Sequence, residues 1–123
     1  MVKADILVSA VAVVRDHAAV LPAFIDETSA VLDRHYANYE LLLIDNGSTD
    51  GSLAWLQTLR PQVRVLSQPD NRGFAAAAND AAEAATGEVV AFLNNDCRVE
   101  PTWLRHLVDA LAAEGAAAAG SCM

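Results

Sequence analysis

Leu41-Leu42-Leu43-Ile44-Asp45-Asn46-Gly47-Ser48-Thr49-Asp50-Gly51 begins as an apolar run and ends in a burst of acidic, amide and hydroxyl residues. A second stretch, Val89-Val90-Ala91-Phe92-Leu93-Asn94-Asn95-Asp96, ends in the same way. A buried strand that stops at a carboxylate, with a turn and a helix behind it, delivers that carboxylate to the rim of an α/β sheet. Two such deliveries point to one site.

Outward from these stretches, strand and helix patterns alternate four times, as in a mostly parallel sheet covered by helices. Strands are expected at Ile6–Val14, Tyr39–Ile44, Val63–Ser67 and Val89–Leu93. Helices are expected at about Val20–Arg34, Gly51–Leu59 and Phe74–Ala85, with a fourth starting near Pro101. Pro101 suits the first turn of a helix, Pro61 follows the end of one, and Gly87 stands where the alanine-rich helix must stop. The short apolar run Ala116–Met123 reads as a fifth strand, whose open edge would suit pairing with a second copy of the chain. The expected architecture is α/β, a mostly parallel sheet with helices on both faces.

At 123 residues the chain fits one domain with a real core. Hydrophobic residues make up 54% and aromatics only 6%, so small-residue helices packed closely on a sheet are expected. The net charge is −8 and Lys3 is the sole lysine, which leaves no basic stripe for a nucleic-acid backbone. Phosphate ligands remain compatible, because Arg15, Arg72, Arg98 or a metal ion can reverse the sign locally. Cys97 and Cys122 lack metal or redox spacing and read as reduced thiols in the cytoplasm. Lys3 and Asp5 lead straight into a strand without a signal-peptide pattern, and no apolar stretch is long enough to span a bilayer.

A parallel sheet places every strand-to-helix loop at one edge, where such folds bind ligands. That edge should gather Arg15 and Asp16, then Asp45, Asn46 and Asp50, then Asp70, Asn71 and Arg72, and finally Asn94, Asn95 and Asp96. Asp45 should sit at a strand tip, free to accept from a base N–H or a ribose hydroxyl. Ser48, Thr49 and Asp50 read equally well as turn and helix-capping residues. Asn94-Asn95-Asp96 offers an all-oxygen set suited to Mg²⁺ or Mn²⁺ sharing a substrate diphosphate, although the same triplet is ordinary turn chemistry. Asn71-Arg72-Gly73 precedes a helix, where backbone N–H groups and a guanidinium can face a phosphate or a base; a solvated loop arginine is the plainer reading. Asn79 and Glu83 share one face of the following helix at i, i+4 spacing, and Asn79 either reaches the site or braces the loop. His17, His35 and His106 show no metal-ligand spacing and are expected in surface or capping positions. Trp55 and Trp103 read as packing residues.

These motifs together resemble the family 2 glycosyltransferases. The matching pieces are Val8-Ser9, Tyr39-Glu40 leading to Leu43 through Gly51, Asn71-Arg72-Gly73 with Asn79, and Gly87-Glu88 leading to Leu93-Asn94-Asn95-Asp96, in the family's order and over nearly the whole chain. The resemblance implies the nucleotide-sugar-binding, Rossmann-like half of an A-type glycosyltransferase fold, over residues 1–123, ending before the acceptor-binding half and its base. It implies transfer of a sugar from a nucleoside-diphosphate sugar to a polyprenyl phosphate or a growing glycan, in the cytoplasm or at the inner membrane face. Asp45, Asn46, Arg72, Asn79 and Asn95 become donor-binding candidates, with Asp96 and Asn94 as ligands of Mg²⁺ or Mn²⁺.

The chain departs from the resemblance at Asn46 and Asn94, where relatives often carry aspartate, and at Val13-Val14-Arg15-Asp16-His17, where they carry a Pro-x-Tyr-Asn-Glu-like run. A non-catalytic nucleotide-binding or interaction module with the same fold is the alternative. A phosphorylation-receiver domain with Asp45 as acceptor ranks lower, because it needs an acidic cluster after the first strand and a lysine after the last.

Overall fold

The computed structural model describes residues 4–16, 19–51, 54, 63–94, 99–115, 118 and 120. Four strands, β1 (Ala4–Val14), β2 (Tyr36–Asn46), β3 (Val63–Gln68) and β4 (Val89–Asn94), form one sheet in the order β3-β2-β1-β4. Every neighbouring pair is parallel. Among the described residues the helices are α1 (Leu21–His35), α2 (Phe74–Ala84) and α3 (Trp103–Glu114). Most of the expected helix at Gly51–Leu59 and most of the expected strand at Ala116–Met123 lie outside the described residues, as do His17, Trp55, Cys97 and Cys122.

The central strands β1 and β2 are buried on both faces, which is why they read as nearly unbroken apolar runs. Side chains alternate between the faces. Val8, Ala10, Ala12 and Val14 of β1, with Leu41 and Leu43 of β2, pack against α1 and Leu104 of α3. Val11, Leu42 and Ile44 point the other way, onto Ala77 and Ala81 of α2. The helices thus cover both faces, and alanine lets α2 lie close to the sheet.

β2 is longer than the apolar pattern predicts, starting at Tyr36 and running on to Asn46. A central strand is held from both sides: Asp45 lies opposite Val14 on β1 and Ser67 on β3, and Asn46 lies opposite Gln68. Ladder pairing therefore carries the strand past its last apolar residue. The strand next to β1 on its other side is β4, reached only after the chain has built β2 and β3. The order reverses at β1, and the carboxyl ends of β1 and β4 flank the crevice that such a reversal opens.

At the opposite edge a buried acid holds the end of α2. Glu40 is 7% exposed and accepts from Arg64 Nη1 at 2.6 Å, from the Thr86 N–H at 3.2 Å and from the Thr86 hydroxyl. Arg64 Nη1 also donates to the Ala84 carbonyl at 3.2 Å, capping the last turn. Burial pushes the Glu40 carboxyl up, but the Thr86 side chain and backbone, together with Arg64, outweigh it and leave its pKa below the ordinary value of 4.5. A folded-state pKa below the unfolded one contributes stability above pH 4.5 that is lost as pH falls from there through the folded value. Glu40→Gln is expected to lower stability at pH 7 by about 1–2 kcal/mol, because Arg64 is partly solvated. It should also flatten the stability loss below pH 4.5. Urea melts at several pH values check both; an unchanged acid slope would remove Glu40 from the account.

His35 corrects the surface reading. It is the last residue of α1 yet only 2% exposed, because β2 begins at the very next residue and folds α1's end under the sheet. His106 is exposed, as expected. Trp103 packs half-buried against the core, also as expected. Pro101 lies in a turn rather than in the helix, and α3 starts at Trp103 after Thr102.

Candidate functional site

The loops after β1, β2 and β3 converge at the carboxyl edge of the sheet, and hydrogen bonds between loops hold them there. The first connection joins the β1 and β2 loops. The Asp16 N–H donates to Ser48 Oγ at 2.9 Å, and Asp16 Oδ1 accepts from the Thr49 N–H at 2.6 Å. The Thr49 hydroxyl reaches the same oxygen at 3.4 Å. Asp16 has φ of 55°, a left-handed conformation that aspartate tolerates better than most residues. Ser48 and Thr49, which read at least as well as turn and capping residues as they do as ligand contacts, bind across to the neighbouring loop.

Asp45 differs from the free strand tip that the sequence predicts. It lies inside β2 and is 1% exposed. One oxygen, Oδ2, accepts from the Ser48 N–H at 3.3 Å. The other, Oδ1, is buried with no hydrogen-bond partner among the described residues. Most buried polar atoms in proteins have partners, and one that lacks them calls for a reason such as a role in binding.

The second connection joins the β2 and β3 loops through Asn46, which is 3% exposed. Its Nδ2 donates to Asn71 Oδ1 at 2.9 Å, and its Oδ1 accepts from the Arg72 N–H at 3.0 Å. Arg72 itself is exposed, and its guanidinium pairs with Asp80 of α2. Asp80 also accepts from Gln68 at the end of β3. Neither Asp80 nor Gln68 stands out in the sequence. The available signal is an acid in the second turn of an alanine-rich helix, because helical side chains lean toward the N-terminus and so back over the preceding loop. Asn79, the adjoining residue, faces solvent, as does Glu83.

Asn94 ends β4 opposite Val13. It lines a small cavity of about 120 Å³ with Val11, Val13, Phe74 and Phe92, beside the reversal point. Asn95 and Asp96 lie outside the described residues. No group of three His, Cys, Asp or Glu side chains gathers among the described residues. A roomier cavity of about 530 Å³ runs between β4 and α3, but its lining is mainly apolar and it offers little of the polar chemistry collected by the loops. The loop edge therefore combines a buried carboxylate whose Oδ1 has no partner among the described residues, an exposed guanidinium, and an amide at the end of β4. Such a set can accept from a base or ribose and can face a phosphate.

Residues 11–123 match Glycosyl transferase family 2. Glycosyltransferase AglE of Haloferax volcanii is 32% identical over 92 residues, covering 71% of this chain and 30% of that protein. The undecaprenyl-phosphate 4-deoxy-4-formamido-L-arabinose transferase of Aeromonas hydrophila is 36% identical over 109 residues, covering 85% of this chain and 33% of that protein. Among solved structures, the mannosyltransferase PcManGT from Pyrobaculum calidifontis, in complex with GDP-Man and Mn²⁺, superposes with a TM-score of 0.76 at 25% identity. That match covers 89% of this chain and 33% of the mannosyltransferase. The chain spans about a third of the length of each of these three relatives.

Proposed function

This chain belongs to glycosyl transferase family 2, and on that premise we propose that it is the donor-binding part of an enzyme that moves a sugar from a nucleoside diphosphate to an acceptor. The observation that carries the proposal is Asp45, a carboxylate buried at the ligand edge of the sheet with Oδ1 unpartnered among the described residues. A base N–H or ribose hydroxyl would satisfy that oxygen. Arg72, held on the adjoining loop, would exchange Asp80 for the negative charge of the diphosphate. Asn46 would shape the pocket, and Asn79 and Asn95 would lie along the bound donor.

Asn94 and Asp96 supply oxygen ligands only, the chemistry that Mg²⁺ or Mn²⁺ prefers. Such an ion often keeps its waters and shares substrate phosphates, so one or two protein carboxylates suffice. When bound it would neutralise charge on the leaving diphosphate. The mannosyltransferase in complex with GDP-Man and Mn²⁺ supports this reading, and the similarity to an undecaprenyl-phosphate 4-deoxy-4-formamido-L-arabinose transferase supports a lipid-phosphate acceptor. A polyprenyl phosphate or a growing glycan at the cytoplasmic side of a membrane is the acceptor we propose. No helix among the described residues is long and apolar enough to cross a membrane.

Calorimetric titration of UDP, GDP and dTDP, each with and without Mn²⁺, tests the proposal. One nucleotide is expected to bind in a metal-dependent way, and Asp96→Ala is expected to abolish the metal dependence. A folded chain that bound none of the three would overturn the donor-site reading and favour an interaction module.

A further inference from the structure

We infer that Asn46 is a positioning residue whose amide fastens the end of β2 to the Asn71-Arg72-Gly73 loop, and so sets where Arg72 meets the diphosphate. The inference rests on the donor-site reading above.

The two loops are in backbone contact behind this amide. Gly47 has φ of 77°, and a Cβ built on it would lie 2.8 Å from both the Asn71 nitrogen and the Asp70 carbonyl carbon. Within that contact the direction of each hydrogen bond is determined. Asn71 Oδ1 accepts from the Gly73 N–H at 2.9 Å, so this oxygen, rather than the Asn71 nitrogen, faces inward. The same oxygen meets Asn46 at 2.9 Å, which requires a donor from Asn46. The Arg72 N–H meets Asn46 at 3.0 Å, which requires an acceptor. Position 46 must therefore supply one donor and one acceptor from a side chain that is 3% exposed. An amide does both, whereas a carboxylate at neutral pH only accepts.

Position 71 has the opposite requirement. Its side chain only accepts in this network, from Asn46 and from Gly73, and a carboxylate would serve both bonds. Two substitutions with the same chemistry, Asn46→Asp and Asn71→Asp, thus add one negative charge at side chains that touch each other, but only the first breaks the fastening. The two charges are not screened alike, since Asn46 is 3% exposed and Asn71 is exposed, so Asn46→Ala, which adds no charge, separates loss of the fastening from repulsion of a diphosphate. A difference in affinity then measures the position of the loop.

The test is titration of UDP, GDP and dTDP with Mn²⁺ into the unaltered chain and into Asn46→Asp, Asn71→Asp and Arg72→Ala. Asn71→Asp is expected to bind within about threefold of the unaltered chain, and Asn46→Asp about tenfold more weakly than Asn71→Asp, the scale of an unmade buried hydrogen bond. Asn46→Ala, which removes the bonds without burying a charge, should also weaken binding about tenfold and replaces Asn46→Asp if the latter fails to fold. In an Arg72→Ala background the gap should close, because the fastening acts through Arg72. Equal weakening by both aspartate variants, or a gap that persists without Arg72, would overturn the inference and leave the donor site standing. If Arg72→Ala alone bound nucleotide as tightly as the unaltered chain, the failure would lie in the donor-site assignment of Arg72, and the inference would fall with it.

Discussion

Asp45→Ala is expected to abolish most nucleotide binding while leaving the chain as stable as before, or more so. The two halves of this expectation have one cause. Asp45 Oδ1 is buried without a partner among the described residues, so in the unliganded chain it contributes a desolvation cost with no bond among them to offset it. Removing it relieves that cost, and the single bond lost, from the Ser48 N–H at 3.3 Å, belongs to a residue that water can reach. When a sugar nucleotide arrives, the same oxygen accepts one or two hydrogen bonds from its N–H or O–H groups, each worth roughly 1.5–3 kcal/mol for a carboxylate acceptor, so their loss should weaken affinity by about 100-fold. Thermal melts and nucleotide titration on the same samples check both halves. A large loss of stability with affinity retained would mark Asp45 as a structural residue and remove the main support for the proposed site. Stability given up at a binding position in this manner is a common trade in enzymes.

Gly87→Ala, just before β4, is expected to be strongly destabilising for the addition of a single methyl group. The added Cβ would lie 2.6 Å from the Ser9 nitrogen, 2.7 Å from Ser9 Oγ and 3.0 Å from the Leu7 carbonyl oxygen. None of these atoms can yield cheaply. Ser9 is fully buried on the central strand β1, and its Oγ accepts from the Gly87 N–H at 2.8 Å. The Leu7 carbonyl accepts from the Glu88 N–H, also at 2.8 Å. Relief would require β4 to move away from β1 where their pairing begins, at Val8 opposite Val89. The cost should be about 3 kcal/mol, at the upper end for overpacking, and should lower the melting midpoint by roughly 10 °C. Gly120→Ala, whose methyl meets nothing within 4 Å, is the control and should change stability by less than about 0.5 kcal/mol. A shift no larger than the control's would mean that β4 can open from β1 without cost.

Gly87 also shows where sequence reading stops. Its place after an alanine-rich helix reads as a stop signal, and α2 does end just before it, at Ala84. The stronger constraint comes from Ser9, 78 residues earlier in the chain. Nothing local in sequence announces that approach.

The alternation of apolar runs with helical periods was enough, unaided, to determine a parallel α/β sheet, because burial on both faces and the helical repeat are local properties written every two or four residues. It also located the carboxyl edge and the loops that gather there, since strand direction in a parallel sheet leaves no other arrangement. The ordered motifs indicated the family. Tertiary structure alone decided what each polar side chain does at that edge. Asp45 is buried within a strand because pairing on both sides extends β2 beyond its apolar residues. Asn46 has its amide committed to a neighbouring loop, Asp16 joins Ser48 and Thr49, and Asp80 reaches back to Arg72. Each of these contacts joins groups from separate loops or elements. A hydrogen bond depends on where two atoms meet in space, and for such pairs the fold, not the local pattern, sets that meeting point.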